Sequence, residues 1–406
     1  MTDTVRPRKN PLPFAMLLGI ALLSTAGPFG TDMYLPSLPE IGRDLAVGDS
    51  SVQLTITGFM VGMALGQLVM GPLSDRVGRH RMLATATVVW LVASVVCALV
   101  PGVGLFIVAR FFQGAAGGTC VMLGRSMISD RTSGAGAARA LSTMMVFTAV
   151  APILAPVVGD AVAGLGSWRT VFWVLAVVGA VEFVVALALP ETLPAERRAT
   201  GSLGEVYRRM GGLLRIPAFL GHLVAFAIGF GAFFSFISGS SFVLQEQLGL
   251  SSQVFSFVFA GNAVALVVTN LVNAQVVERF GPATMQRTGQ TLLVLGAVAL
   301  LIVALTAPSV PAVVVCTAVV TVGTAFNMGN TTALAMDLAQ GRSGAGSALL
   351  GAGQFLMAGV VSPLVGLGGD GLLTMAVVMT VCAGVAGVAG VAGLVGRRGS
   401  AGPDQR

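Results

Sequence analysis

Residues 66–81 read Gly66-Gln-Leu-Val-Met-Gly71-Pro72-Leu-Ser-Asp75-Arg76-Val-Gly78-Arg79-His80-Arg81, an apolar run that breaks into a charged turn. Gly62 and Gly66 are four residues apart, so on a helix they share one face and allow a neighbouring helix to approach closely. Pro72 removes a backbone donor, which predicts that the helix ends there. Asp75 is expected to cap the next helix or to pair with a nearby arginine. The pattern predicts a tight charged loop between two membrane helices, as a moving gate requires.

The composition of the whole chain points in the same direction. Of the 406 residues, 55% are hydrophobic and only 10% are charged, whereas a soluble globular domain carries about 25% charge. The net charge of +6 lies in loops between apolar runs, so it predicts no nucleic-acid partner. The sequence contains no G-x-x-x-x-G-K-[ST] loop, no G-x-S-x-G turn and no Cys/His cluster. We therefore expect no ATP hydrolysis, no cofactor, no metal and no enzyme activity.

Apolar runs of the length needed to span a bilayer occur twelve times. They lie near 13–36, 50–73, 82–100, 103–128, 139–164, 168–189, 217–241, 252–277, 288–307, 309–335, 342–367 and 370–395. Most arginines fall in the even-numbered connections and the tails, so both termini are predicted to face the cytoplasm. The first run has a basic flank but no clean cleavage site, and we expect it to stay as a helix rather than to be removed as a signal peptide.

The longest polar stretch, 190–216, divides the chain into two halves. We predict a cytoplasmic tail (1–12), a six-helix bundle (13–189), a cytoplasmic linker (190–216), a second six-helix bundle (217–395) and a second cytoplasmic tail (396–406). A weak repeat supports the division, because Ser-Gly-Ala-Gly precedes both the fifth and the eleventh runs, at Ser133 and Ser343.

The 66–81 stretch resembles the signature loop of the major facilitator superfamily, at the join of its second and third helices. His80 stands where a second basic residue is usual, a mild departure. The alternative is an ordinary basic cytoplasmic loop. The resemblance implies an all-α fold of twelve transmembrane helices in two pseudo-symmetric six-helix bundles around a central site. It also assigns a gating motif, made of Gly66, Gly71, Pro72, Asp75, Arg76, Gly78 and Arg79.

Ionisable residues inside the apolar runs are candidates for function, because a charge at the bilayer centre costs about 2.5–3.5 kcal/mol or more. Asp32 lies near the outer end of the first run, where it could load and release a proton or could simply face outside water. The stretch Thr31-Asp-Met-Tyr-Leu-Pro36, followed by Leu38-Pro39, resembles the first-helix signature of Bcr/CflA-type drug/proton antiporters. That resemblance implies that Asp32 takes part in proton coupling or drug binding, with Tyr34 beside it.

Arg110 opens the fourth run, and Arg110, Gln113 and Gly114 recur on one helix face. A snorkelling arginine at the membrane surface is the alternative interpretation. The stretch resembles the Arg-x-x-Gln-Gly motif of proton antiporters, which implies that Arg110 helps proton transfer. A direct pair with Asp32 is a further hypothesis. Glu182, roughly 12 Å from the cytoplasmic end of the sixth run, is expected to be either a second proton site or a buried structural partner.

The fifth run carries two prolines within a four-residue repeat of small residues, at Pro152, Ala155, Pro156 and Gly159. Such a helix is expected to be bent and closely packed. It resembles the antiporter motif of the fifth helix in its Ala-Pro form, although the wider pattern has glycine where Ala155 and Asp160 stand. A generic kinked helix is the alternative.

Substrate contacts are expected from polar and aromatic side chains facing a cavity. Phe230 and Phe234 belong to a phenylalanine-rich stretch that suits lipophilic ligands, although packing in the core or against lipid is the commoner explanation for any single one of these residues. With Asp32 and Tyr34, the predicted substrate-binding set comprises Gln113, Phe230, Phe234, Asn262 and Gln354.

These expectations combine into one functional hypothesis. The chain is predicted to be a monomeric, proton-coupled exporter of amphipathic small molecules or antibiotics resembling chloramphenicol or bicyclomycin, in a bacterial cytoplasmic membrane. Its partners would be the small-molecule substrate, protons and the lipid bilayer. The alternative is an exporter with the same fold that carries a native metabolite such as an amino acid, sugar or siderophore.

Overall fold

The computed structural model describes residues 13–132, 134–198, 203–340, 342–367 and 371–400. Within them, twelve helices are long and apolar enough to cross a membrane, which confirms the predicted all-helical fold. In chain order they are α1 Phe14–Asp44, α2 Asp49–Val77, α3 Arg79–Leu99, α4 Val103–Arg131, α5 Gly134–Ala163, α6 Trp168–Ala188, α7 Pro217–Gln247, α8 Ser252–Phe280, α9 Pro282–Thr306, α10 Val310–Leu338, α11 Ser343–Val365 and α12 Gly371–Ser400. The predicted tail 1–12 and Ser133 of the repeated motif lie outside the described residues.

Connections between consecutive spans are mostly short, so neighbouring helices run antiparallel and their loops fall on two faces. We call the face with the loops after α2, α4, α6, α8 and α10 the arginine-rich face, and the other the opposite face. A linker helix, Leu203–Leu214, lies between α6 and α7 at the arginine-rich face.

Most of the packing between spans lies within one half of the chain or the other. In the first half, α2 packs on α4, and α3 packs on both α4 and α6. In the second half, α9 packs on α10, and α7 packs on α11 and α12. The two sets of helices meet where α2 contacts α11 and where α5 contacts α8. The exact domain limits given above stay predictions.

Glycines bring α2 and α4 into backbone contact. A Cβ atom added at Gly62 would lie 2.1 Å from the carbonyl oxygen of Phe111, and one added at Gly66 would lie 2.3 Å from that of Ala115. The predicted close approach at these glycines is therefore confirmed, and the neighbour is α4. The predicted end of the helix at Pro72 is wrong, because α2 continues through this residue to Val77.

The α2 helix ends instead at Gly78, whose φ of +109° lies in a region that favours glycine. Pro72 is tolerated inside the helix because a proline removes only one hydrogen bond and distorts the ladder locally. Several other spans also extend a few residues beyond the predicted runs, and α1 continues to Asp44 rather than stopping near residue 36.

Two spans have irregular backbone near the opposite face. In α1, a 3₁₀ turn at Leu35–Ser37 separates the helical segments Ala26–Asp32 and Leu38–Asp44. Proline at position 39 cannot supply the N–H that would bond the Leu35 carbonyl in a continuous helix. In α7, the segment Phe242–Gln247 adopts π-helical geometry. These irregular segments face each other across the two halves.

Candidate transport site and gate

The fully buried guanidinium group of Arg110 lies inside the first half, two turns from the start of α4. Its Cζ atom is 4.3 Å from the ring centroid of Tyr34 in α1 and 4.2 Å from that of Phe59 in α2. The ring of Phe172 in α6 is 5.7 Å away. Aromatic faces attract a cation through their quadrupole, so this cage stabilises a charge that no nearby carboxylate neutralises among the described residues. A snorkelling side chain at the membrane surface is therefore the wrong interpretation of Arg110.

A short polar chain continues from this cation. Arg110 Nη1 donates to Gln113 Oε1 at 2.6 Å, and Gln113 Nε2 donates to the Ser94 hydroxyl at 2.7 Å. The remaining nitrogens of Arg110, Nε and Nη2, have no hydrogen-bond partner among the described residues. A buried cation with free donors is costly to maintain and is a candidate for a group that acquires a partner in another conformation.

Asp32 is the last residue of the helical segment before the break in α1, and only 6% of its surface is exposed. Within the described part of the chain its carboxyl group has no ion-pair partner, and a direct pair with Arg110 is not formed in this structure. Tyr34, two residues on, is fully buried and reaches Thr55 Oγ1 with its hydroxyl at 3.2 Å. Tyr34 thus connects the α1 break that holds Asp32 to the cage around Arg110.

Glu182 is a second buried acid, deep inside the first half. Both carboxylate oxygens are inaccessible and lack a hydrogen-bond partner among the described residues. It lies near Cys120 of α4 and one helical turn from Gly179, where an added Cβ atom would lie 2.6 Å from the indole of Trp90. The structural partner considered for Glu182 is therefore absent from the described side chains.

The predicted substrate residues of the second half fall into separate groups. Phe230 packs against Phe234, with ring centroids 5.7 Å apart, and against Phe355 of α11 at 6.4 Å. Asn262 accepts a hydrogen bond from Thr321 at 3.1 Å, which fixes it within the second half. Gln354, on α11, is half-buried. Tyr34 and Gln113, by contrast, belong to the cage and the polar chain around Arg110 in the first half.

The proline-containing α5 lies at the junction between the halves. Ala155, Pro156 and Gly159 are buried, and a Cβ atom added at Gly159 would lie 1.8 Å from the carbonyl oxygen of Met33 in α1. The helix continues through both Pro152 and Pro156. The Pro156 carbonyl accepts a hydrogen bond at 3.3 Å from Ser256 of α8, so this helix contacts both α1 and the opposite half.

At the arginine-rich face, the gating motif is held by a network around Arg79. Its guanidinium pairs with Asp75 at 2.7 Å and with Asp130 of α4 at 3.1 Å. The predicted pairing of Asp75 with a local arginine is thus confirmed, whereas Asp75 does not cap α3, whose N-cap residue is Gly78. The acid that completes the network, Asp130, was not found from the sequence, because it is 51 residues away.

Glu191, just after α6, ties the turn to the linker. Burial works against its charged form, but backbone N–H donors of Leu193, Arg79, His80 and Thr192 outweigh this and lower the pKa of its carboxyl group. A Cβ atom at Gly78 would lie 2.4 Å from this carboxylate. Because the carboxylate is the end of a flexible side chain, it is the positive φ that requires glycine at position 78.

Hydrogen bonds between the two halves close the protein towards the opposite face. We call this set the seal. Ser241 and Gln245 of α7 donate to the carbonyls of Leu35 and Pro36 at 2.7 and 3.0 Å. Gln53 donates to the Ser238 carbonyl at 3.3 Å. On the α2–α11 contact, Thr57 donates to the Gly359 carbonyl at 2.9 Å, and Ser362 donates to the Gln53 carbonyl at 3.2 Å.

At the arginine-rich face, by contrast, a cavity of about 420 Å³ separates α2 and α4 from α11 and the linker helix. We call it the vestibule. Asp75 and Arg79 of the gating motif lie in its wall, opposite Ser343 at the start of α11. A seal at one face and a cavity between the halves at the other is the geometry of a transporter with alternating access.

Comparison with known proteins identifies the family. A model of the Major Facilitator Superfamily matches residues 20–363 and 223–405. The chain belongs to this superfamily. It is therefore a multi-pass membrane transporter of small molecules rather than an enzyme, and the predicted family is confirmed.

Among relatives, the "Uncharacterized MFS-type transporter YdgK" of Bacillus subtilis (strain 168) is 35% identical over 382 residues, covering 92% of this chain and 94% of the relative. The "Bicyclomycin resistance protein homolog" of Haemophilus influenzae is 32% identical, over 72% of this chain and 74% of the relative. The "Multidrug resistance protein MdtL" of Escherichia coli O81 is 27% identical, over 67% of this chain and 69% of the relative. These relatives confirm the resemblance to Bcr/CflA-type drug transporters.

Solved structures agree on the fold. A mutant form of the nucleoside transporter NupG aligns with a TM-score of 0.74 and 14% identity, over 94% of this chain and 99% of that one. The xylose transporter XylE from E. coli, in a partially occluded inward-open conformation, aligns with a TM-score of 0.70 and 16% identity, over 97% and 99%. At these identities the likeness establishes the fold alone and says nothing about the substrate.

Proposed function

We propose that this protein exports amphipathic small molecules or antibiotics in exchange for protons. The observation that carries the proposal is Asp32, a buried carboxyl group with no ion-pair partner among the described residues, at a break in α1 beside the seal. Relatives named for bicyclomycin resistance and multidrug resistance support the same substrate class. We place the arginine-rich face and both termini in the bacterial cytoplasm, and we take the working unit to be the monomer.

Asp32 is the proposed site of the coupling proton. An ionised carboxylate sealed inside the membrane costs about 2.5–3.5 kcal/mol or more, and contact with water at an open face removes this cost. Alternating exposure of Asp32 would then link proton uptake at one face to release at the other. Arg110 is proposed to assist because its two unpartnered nitrogens can receive the carboxylate in another conformation. Glu182 is the proposed second proton site.

The gating motif is proposed to open and close the arginine-rich face. Its Arg79 network makes the start of α3, the end of α4 and the Glu191 segment one rigid unit. Closure would bring Asp75 across the vestibule towards the first turn of α11, where backbone N–H groups favour a carboxylate. Drug contacts are assigned to Tyr34, Gln113, Phe230, Phe234, Asn262 and Gln354, with α5 transmitting movement between the halves.

The test uses inverted membrane vesicles that contain the full-length protein and hold a proton gradient. Chloramphenicol-like, bicyclomycin-like and cationic drugs are added in turn, and collapse of the gradient is recorded. We expect at least one drug to collapse it, and Asp32→Asn to abolish the response. Glu278→Gln on α8, an exposed acid outside the proposed machinery, is the matched control and should respond like the native chain.

Each alternative result has a definite meaning. Collapse that persists in Asp32→Asn would remove Asp32 from the coupling step and make Glu182→Gln the next variant. The absence of any drug response in the native protein would reject drug export. A metabolite panel in the same vesicles would then test the exporter of an amino acid, sugar or siderophore.

A further inference from the structure

The vestibule has an unusual charge balance. Three arginines line it, Arg79 from the gating motif, Arg125 from α4 and Arg342 at the start of α11, whereas Asp75 is the one acidic residue among its described lining residues. Arg79 is already neutralised by Asp75 and Asp130. Two positive charges, one on each half of the protein, therefore remain to be balanced.

Neither of these two guanidinium groups has an internal partner in the part of the chain that the structure describes. There, Arg125 and Arg342 form no ion pair and no side-chain hydrogen bond. Arg125 lies within the length of α4 rather than in a loop, and its side chain forms part of the vestibule wall. Each guanidinium thus offers a planar set of donors to whatever enters the vestibule.

The rest of the wall complements these donors. The hydroxyl-bearing residues Ser126, Ser343 and Ser347 lie in the same wall, together with Gln67. Arginine binds carboxylate and phosphate groups in a bidentate manner, and serine hydroxyls add further donors to the same oxygens. A volume of about 420 Å³ lies in the range of small-molecule sites and exceeds what a single inorganic ion needs.

We infer that the vestibule binds a carboxylate or phosphate group of an amphiphile, held between Arg125 of one half and Arg342 of the other. The inference rests on the proposed function and narrows its substrate class. Anionic amphiphiles are attracted to the open arginine-rich face, neutral amphiphiles are tolerated and lipophilic cations are disfavoured there. The anionic group belongs either to the exported solute or to a lipid headgroup, and the experiment separates these sources.

Thiol chemistry measures the local potential without requiring transport. Ser347→Cys places a thiol in the vestibule, and its reaction rates with an anionic sulfonate-bearing and a cationic trimethylammonium-bearing methanethiosulfonate are compared. The protein without the added thiol is the blank, since its four native cysteines are buried. Two uncompensated positive charges in the same cavity as the thiol should favour the anionic reagent roughly tenfold at moderate ionic strength.

Matched variants test the source of this preference. In the Ser347→Cys background, Arg125→Gln with Arg342→Gln should bring the two rates close together, whereas Arg125→Lys should keep the preference because it keeps the charge. The control thiol, Ser252→Cys, lies in a separate cavity at the opposite face, lined by Glu40, Arg43, Asp160 and Glu246. It should react faster with the cationic reagent and should be unaffected by the arginine variants.

Transport and lipid composition complete the test. In inverted vesicles, chloramphenicol succinate, which carries a carboxylate, and neutral chloramphenicol are each tested as competitors of a drug that collapses the proton gradient. The measured quantity is the concentration of each compound that halves the response to that drug. The double glutamine variant should weaken competition by the succinate ester roughly tenfold and change that by chloramphenicol less than twofold. In liposomes, addition of phosphatidylglycerol to phosphatidylcholine should abolish the anionic reagent's advantage if a lipid headgroup occupies the vestibule, and should leave it if a solute does.

Equal rates for the two reagents in the arginine-containing protein, or a preference that survives the double glutamine change, would overturn the inference. The rates remain informative if the native protein moves neither form of chloramphenicol. In that case the proposed drug export fails, and the anion site is judged on the thiol reactions alone.

Discussion

The seal at the opposite face allows a quantitative prediction about the conformational equilibrium. In Ser241→Ala, a hydroxyl is lost that donates to the Leu35 carbonyl at 2.7 Å and accepts from Gln245 Nε2 at 2.8 Å. Each hydrogen bond contributes about 0.5–1.5 kcal/mol net. The bond to Gln245 lies within α7 and does not depend on the sealed state. Loss of the single bond to Leu35 should therefore cost about 0.5–1.5 kcal/mol and raise the population open at the opposite face roughly 2- to 10-fold.

A thiol beneath the seal reports this population. Ser238 on α7 is fully buried and its hydroxyl has no partner among the described residues, so Ser238→Cys is a mild substitution. In this background, Ser241→Ala should accelerate modification by a membrane-impermeant thiol reagent by the same factor. The control is Ser235→Ala, which removes a buried serine on the same helix whose hydroxyl bonds only to its own helix, at the Gly231 carbonyl.

The comparison between these two serine variants separates loss of the seal from general loosening of α7. If Ser235→Ala accelerates the reaction as much as Ser241→Ala, the effect comes from general loosening of α7 and not from the seal. If neither variant changes the rate, the hydrogen bonds between α1 and α7 do not control access from the opposite face.

Three further outcomes are expected. Gly62→Ala should lower the melting temperature in detergent by several degrees, because a Cβ 2.1 Å from the Phe111 carbonyl oxygen forces rigid helices apart, which costs about 1–3 kcal/mol of stability. The control is Gly261→Ala, whose Cβ would meet nothing within 4 Å and which should be neutral or slightly stabilising. Equal melting temperatures for the two variants would contradict this prediction. Arg110→Lys should lose most drug-dependent gradient collapse although the positive charge is kept, because an ammonium group cannot stack on two rings while it bonds Gln113. Gradient collapse at the native rate in this variant would show that the aromatic cage is not needed for transport. Because the pKa of Glu191 is lowered in the folded protein, the ionised carboxylate stabilises the fold at pH values above the ordinary glutamate pKa, and this stabilisation is lost as the pH falls through the lowered pKa. The difference in melting temperature between the native chain and Glu191→Gln should therefore shrink on acidification. A difference that stays constant with pH would argue against this role of Glu191.

Local residue order was enough to establish the architecture. A bilayer requires about 20 apolar residues for each helical crossing, so twelve such runs fix twelve helices whatever their partners are. The 66–81 stretch and its Gly62–Gly66 spacing predicted the family and a close helix approach, because both depend on residues near one another in the chain. The end of α2 was misplaced at Pro72, since the energetic cost of one proline inside a well-packed helix is offset by neighbours that local sequence does not reveal.

Which groups meet was settled by the tertiary structure alone. The aromatic cage of Arg110 draws Tyr34, Phe59 and Phe172 from three helices, and the partner of Arg79 on α4 is 51 residues away. Such contacts depend on helix rotation and crossing, which apolar side chains in a membrane leave undetermined in the sequence because nearly every face is hydrophobic. For the same reason, the separation of Asp32 from Arg110, and the position of Arg125 in the vestibule wall without a partner among the described residues, could be read only from the packed helices.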